Sequence, residues 1–83
     1  MAEVKFNKGS EEWMMFTDYW QLCQKYWEVE EDNDKYWEDL TKEVINFPER
    51  HGGDKFAVAL ALAFIDSQMK KQEELKERRQ YSD

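Results

Sequence analysis

The stretch Trp13-Met14-Met15-Phe16-Thr17-Asp18-Tyr19-Trp20-Gln21-Leu22-Cys23-Gln24-Lys25-Tyr26-Trp27 sets the architecture of this 83-residue chain. Wound as a helix, Trp13, Phe16, Trp20, Cys23 and Trp27 recur at steps of three and four, and Met15, Tyr19, Leu22 and Tyr26 form a second row beside them. The two rows cover roughly half the circumference, wider than the apolar stripe of an ordinary surface helix. Thr17, Asp18, Gln21, Gln24, Lys25 and Glu28 fall on the other half. A face this broad needs a roof, which the rest of the chain is expected to supply. Ser10 stands ahead of the stretch as an N-cap, its hydroxyl placed to accept a backbone N–H that the first turn leaves unpaired. Glu11 and Glu12 follow, where the helix dipole favours negative charge. The spacing predicts a helix over residues 11–27.

Residues 28–34, Glu-Val-Glu-Glu-Asp-Asn-Asp, form an acidic connector, and Asp32 or Asn33 is placed to cap a second helix over 34–47. Trp37, Leu40, Val44 and Phe47 share one face of it, with Tyr36 and Ile45 flanking. Pro48 is expected to end it, because proline disfavours the helical conformation of the preceding residue and has no N–H to donate. Gly52-Gly53 marks a turn, and Asp54 can cap a third helix over 54–79. Its segment Phe56–Ile65 alternates large residues with Ala57, Ala59, Ala61 and Ala63. Strict alternation is a strand signal, but alanine is the best helix former and a poor strand former, so the helix is preferred. Phe56, Leu60 and Phe64 make one row, and Val58, Leu62, Ile65 and Met69 another on roughly the opposite side. A helix that is apolar all round is buried, and two short helices do not readily cover a third on every side; a second copy of the chain would. After Met69 the residues are polar, with Lys70–Glu74 and Glu74–Arg78 as i,i+4 pairs, and the helix continues as a solvated extension or docks elsewhere. Residues 1–10 are an N-terminal arm carrying Val4 and Phe6. The expected fold is all-α, one three-helix domain made of a helical hairpin and a long C-terminal helix, either monomeric or as a homodimer.

A chain this short buries only roughly 60–65% of its unfolded surface. With Cys23 as its one cysteine, no internal disulfide can help. Aromatic bulk, including four Trp, is the expected stabiliser. The longest apolar run, Phe56–Ile65, is about half of the roughly 20 residues a spanning helix needs, and no signal peptide is visible. The expectation is a cytoplasmic protein that does not engage membrane. Net charge is −7, and residues 11–49 hold twelve Asp or Glu against Lys25, Lys35 and Lys42. Such a field repels nucleic acid and anionic lipid and favours a basic partner. Single-strand binders pair aromatics with a basic groove, whereas Tyr26, Trp27, Tyr36 and Trp37 lie beside acidic residues, so no direct nucleic-acid contact is expected. Asp32, Asp34 and Glu43 fall at positions one, three and twelve of a calcium-loop frame, but Trp37 occupies the position that requires glycine. His51 and Cys23 are too few for a structural zinc site, and the expected burial of Cys23 argues against a reactive thiolate. His51-Gly52-Gly53-Asp54 lacks the surroundings of a phosphate loop. Neither metal, cofactor nor catalytic residues are expected.

The pattern Trp13-x-x-Phe16-x-x-Tyr19-Trp20, with Tyr36-Trp37-Glu38 and the Phe56–Ile65 segment, resembles small uncharacterised acidic proteins of phages and mobile elements in gut Firmicutes. That resemblance implies a setting in which small acidic proteins inhibit bacterial defence, as anti-CRISPR and anti-restriction proteins do, some by occupying basic grooves built for nucleic acid. The expected function is a non-enzymatic protein-binding module of this inhibitory kind. Its partner-binding residues are Glu28, Glu30, Glu31, Asp32, Asp34, Tyr36, Trp37, Glu38 and Asp39. The alternative is a homo-oligomeric accessory protein assembling through the third helix.

Overall fold

The computed structural model describes residues 3–81, and the side chains of residues 3–78. Three helices follow one another, α1 over Glu11–Lys25, α2 over Asp34–Arg50 and α3 over Lys55–Tyr81, and the described residues include no strand. The fold is all-α. Each helix starts at a side-chain cap. Ser10 Oγ accepts from Trp13 N (3.2 Å), Asn33 Oδ1 from Lys35 N and Tyr36 N (3.0 and 3.3 Å), and Asp54 Oδ1 from Phe56 N and Ala57 N (2.7 and 3.3 Å). Phe16 meets Phe56 near the start of α1 and α3, and Tyr26 meets Gln68 further along both, so these helices run in the same sense. Asp18 on α1 meets Arg50 at the end of α2, and Tyr26 meets Tyr36 at its start, so α2 runs the opposite way.

Pro48 does not end α2. The helix continues to Arg50, with the proline ring buried in its last turn. The missing N–H removes one hydrogen bond only, and the next turn compensates: the Pro48 carbonyl accepts from His51 N at 3.1 Å and Gly53 N at 2.8 Å. The chain turns two residues later, where Gly52 and Gly53 take φ of 69° and 71°, which side chains other than glycine rarely tolerate.

The core joins Met15, Leu22 and Tyr26 of α1, Tyr36, Leu40 and Phe47 of α2, and Ala57, Ala61 and Phe64 of α3. Two sequence expectations are corrected here. On α3 the inward stripe is Ala57, Ala61, Phe64 and Gln68, while Phe56, Val58, Leu62 and Met69 face water. The alanines let the α3 backbone lie close to α2, and α2 supplies the bulk with Leu40 and Phe47, both fully buried. On α2 Tyr36 is buried and Ile45 exposed, though both flank the predicted face. Lys70 pairs backward with Asp66 at 3.0 Å rather than forward with Glu74, an order of acid before base that suits the helix dipole.

α1 ends at Lys25, two residues short of the predicted boundary, and the carbonyls just past its end are taken by other helices. Gln68 Nε2 donates to the carbonyls of Tyr26 at 2.7 Å and Trp27 at 2.9 Å. Tyr36 Oη donates to the Tyr26 carbonyl at 2.7 Å. Gln72 extends the seam, donating to the Glu31 carbonyl at 3.3 Å. Gln68 is the one polar residue among the fully buried described residues, and its amide and the Tyr36 hydroxyl, 3.3 Å apart, together link the end of α1, the start of α2 and the middle of α3.

Two substitutions test this packing. Gln68→Leu keeps the bulk but strips the carbonyls of Tyr26 and Trp27 of a donor, and an unmade buried hydrogen bond costs about 1–3 kcal/mol; urea unfolding should show a loss on that scale, with Tyr36→Phe losing about 1 kcal/mol. Ala61→Leu, on the inward stripe, should destabilise by about 1–3 kcal/mol, while Ala59→Leu, on the exposed side, should be nearly neutral by the same measurement.

Candidate interaction surface

The roof expected over α1 covers only half of its apolar face. Met15, Leu22 and Tyr26 are buried and Tyr19 is half-buried. The other row faces water, with Trp13 41%, Trp20 67% and Trp27 56% exposed. The indoles are therefore not core, contrary to the sequence expectation. The cause is the number of helices: α2 and α3 pack against one sector of α1, and the sector centred on Trp20 has no element opposite it. What reaches this row comes from its margins. Phe6 of the N-terminal arm stacks on Phe16 at 5.6 Å, Phe56 meets Phe16 edge-on at 5.8 Å, and Lys71 Nζ lies 3.7 Å from the centre of the Trp27 ring.

No residue of the row is itself charged, and the cation that reaches it is Lys71, over the Trp27 ring. Thr17, Gln21 and Gln24 are its exposed polar neighbours. The two charged residues between Glu12 and Glu28 are turned elsewhere. Asp18 bonds to α2, and Lys25 Nζ sits 5.4 Å from the ring of Tyr26 in the core row. A row of three exposed indoles with no charged member, from Trp13 on α1 to Trp27 two residues past its end, on a chain of net charge −7 has the composition of an interface centre.

The acidic region predicted for partner binding is divided by the structure. Glu28, Glu30, Asp34 and Glu38 are exposed, and Asp39 is half-buried and paired with Lys35 at 3.0 Å. Glu30 also accepts from the Asn33 side chain at 3.2 Å. Glu31 is half-buried and Asp32 exposed. Tyr36 and Trp37 do not belong to that surface. Tyr36 is buried with its hydroxyl committed to the Tyr26 carbonyl, and burial pushes that hydroxyl's pKa up. Trp37 is half-buried, edge-on to Tyr36 at 4.9 Å, with its indole N–H buried and without a partner among the described residues. The aromatics and the acids expected to act together are thus largely separated: the free indoles are on α1 and just past its end, and the carboxylates are on the connector and the first turns of α2, with Glu28 alone beside Trp27 in one hollow.

A second cluster ties α1 to the end of α2. Arg50 grips the Asp18 carboxylate through Nε at 3.0 Å and Nη2 at 3.2 Å, and Nη2 also reaches Glu43 at 3.2 Å. His51 Nε2 lies 2.8 Å from Asp18 Oδ2. Burial raises the Asp18 pKa, but the hydrogen bonds from Arg50 and His51 outweigh it and hold the carboxyl below its ordinary value. Sequence reasoning found Cys23 as the one companion for His51, whereas in the fold its partner is a carboxylate 33 residues away. An Asp–His pair invites a catalytic reading, yet the cleft beside it is lined by Gly9, Glu11, Met14, Met15, Arg50, His51, Gly52 and Asp54, with no hydroxyl or thiol nucleophile. Cys23 lies on α1, beside Tyr19, and burial raises its pKa, keeping it a thiol rather than a nucleophilic thiolate. Burial, with Cys23 adding to it, pushes the Tyr19 hydroxyl up to about 12. No group of three or more His, Cys, Asp or Glu side chains among the described residues converges to hold a metal ion. No helix among them is long and apolar enough to cross a membrane.

Comparison with known protein families, with curated proteins and with solved structures found no match to this chain.

The Asp18 pair predicts a definite pH dependence. Because the folded carboxyl titrates lower than in the unfolded chain, its contribution is complete above the ordinary value of 3.8 and is lost as pH falls through the folded value. Asp18→Asn should therefore lower the midpoint of thermal unfolding at neutral pH, with the gap from the parent narrowing below about pH 4. Separately, acrylamide quenching should find three readily accessible indoles and one shielded, and Trp37→Phe should remove the shielded one.

Proposed function

We propose that the protein is a non-enzymatic, acidic protein-binding module that occupies a basic surface of a larger partner. The observation that carries this is the row of Trp13, Trp20 and Trp27, exposed and with no charged member, on a chain of net charge −7. Exposed indoles cost solubility and are characteristic of binding centres, where Trp is the most enriched anchor. Carboxylates on the connector and on the first turns of α2 add long-range attraction for a basic partner, which raises the rate of encounter more than the final affinity. The division of labour differs from the one read in the sequence, since anchoring falls to α1 and steering to residues 28–39.

A nucleic-acid-binding surface of a defence nuclease, such as an RNA-guided DNA nuclease, has the required charge, and occupying it would block substrate. The test is binding and inhibition across a panel of such nucleases, with three forms of the protein. The parent should bind at least one and slow its DNA cleavage. Trp20→Ala should weaken binding by about 2 kcal/mol without altering the fold. Joint replacement of Glu28, Glu30, Asp34 and Glu38 by Gln should slow association and flatten its salt dependence. Binding that neither variant alters would sink the proposal.

A second reading, self-assembly through α3, is favoured by Val58, Leu62 and Met69, which are exposed on one stripe of that helix. Sedimentation decides it: a dimer that Leu62→Glu dissociates supports it, and a monomer at micromolar concentration excludes it.

A further inference from the structure

We infer that the outer face of α1 is one half of a coiled-coil seam, and that what fills it is a single amphipathic, basic α-helix of the partner. This rests on the binding reading above and adds the shape of the ligand. Trp13, Phe16, Trp20, Cys23 and Trp27 step by three, four, three and four, the 3.5-residue period at which two helices keep contact along their length. Two hollows lie along the row. Trp13, Phe16, Thr17 and Trp20 line the first, with Phe6 at its edge, and Trp20, Cys23, Gln24 and Trp27 line the second, with Glu28 at its edge. The first is a helical diamond of residues i, i+3, i+4 and i+7, the four-residue hole that receives one side chain of a facing helix, and the second has three of its corners on α1 and is closed by Trp27, two residues past the helix end. The two hollows are about 540 and 590 Å³ and share Trp20, so they stand one heptad apart.

That spacing selects the ligand's backbone. Seven residues of helix advance about 10.5 Å, so residues j and j+7 of a facing helix fall on the two hollows. An extended chain repeats on one side about every 6.7 Å and matches them with neither its second nor its fourth residue. Charge selects the ligand's flanks. Glu12 stands one residue before the row and Glu28 one after it, and Glu28 borders the second hollow. In a self-pair antiparallel about Trp20, Glu12 faces the other copy's Glu28, and in a parallel self-pair each faces its own counterpart. Like charges meet in both cases, whereas Lys or Arg flanking an apolar helical row meets opposite charge. The nearby cation Lys71 is turned onto one face of the Trp27 ring, 3.7 Å from its centre.

The test uses the full chain and three synthetic peptides of about three heptads each. The first has Leu at three–four spacing with Lys elsewhere, the second has the same composition with Leu at every second position, and the third has Glu in place of Lys in the first. Affinity is read by calorimetry, and indole burial by fluorescence of the protein. The first peptide should bind, gain helix and shift the indole emission toward the blue. Trp20→Ala should weaken it about 30-fold, the scale of an interface hot spot, while Ile45→Ala, exposed on α2, should leave it unchanged. Equal binding of the second peptide, still dependent on Trp20, overturns the helical ligand and leaves the basic-partner reading standing. Equal binding of the acidic peptide overturns both. Binding of the first peptide that ignores Trp20→Ala, binding of no peptide, or a dimer that Trp20→Glu dissociates each overturns the inference.

Discussion

Every part of the fold converges on two backbone carbonyls. Just past the end of α1 the C=O group of Tyr26 is buried and that of Trp27 partly so, and such groups left without donors would be costly. Gln68 and Tyr36 provide those donors from the other two helices. A side-chain amide reaching across 42 residues fixes the register of α3 against α1 more narrowly than apolar contact does, since greasy surfaces can slide and a 2.7 Å hydrogen bond cannot. The arrangement has a cost: the Gln68 oxygen is itself buried without a partner among the described residues. The opposite end of the bundle is tied by an ion pair, Arg50 on Asp18, with His51 hydrogen-bonded to the same carboxylate. One end is held by a dry amide junction and the other by a partly solvated ion cluster, so acid loosens the second and leaves the first.

How much of this could be read in the sequence depended on whether the cause was local. The caps at Ser10, Asn33 and Asp54 act within three residues of themselves and were legible as residue types in place. The helical assignment of the alanine-rich segment followed from propensity. The orientation of α3 was not legible, because alternating large residues and alanines offer two plausible faces, and the choice between them belongs to α2, whose Leu40 and Phe47 already fill the space. The end of α2 was misplaced because proline's rule describes a helix in isolation, not one whose last turn is buried and closed by a double glycine. A signal for the inward side of α3 was present in Gln68, which lies on one stripe with Ala57, Ala61 and Phe64.

The candidate surface was half legible. The aromatic stretch announced a broad apolar face, but the aromatics offered to a partner were Tyr36 and Trp37, because these adjoin the acidic run. Adjacency in sequence misled, since Tyr36 is taken by the junction. The discriminating feature was the border of each row on α1. Asp18 and Lys25 border the buried row and turn toward the body, whereas the exposed row is bordered by Thr17, Gln21 and Gln24, which accept desolvation at far lower cost than charges.

Exposed indoles and strong negative charge explain each other. A marginal domain with three Trp in water invites self-association, and the hydrophobic gain from pairing two such faces is large. Net charge of −7 opposes that pairing at long range, and carboxylates just beyond each end of the row oppose it at contact. The same charges do not oppose a cationic surface, so a face that is sticky in composition becomes selective in practice. Discrimination of this kind comes from penalising the wrong partner as much as from rewarding the right one. On the proposed reading, the acidic residues are therefore not the contact itself. They are the reason an uncharged aromatic contact can stand open on the surface of so small a protein.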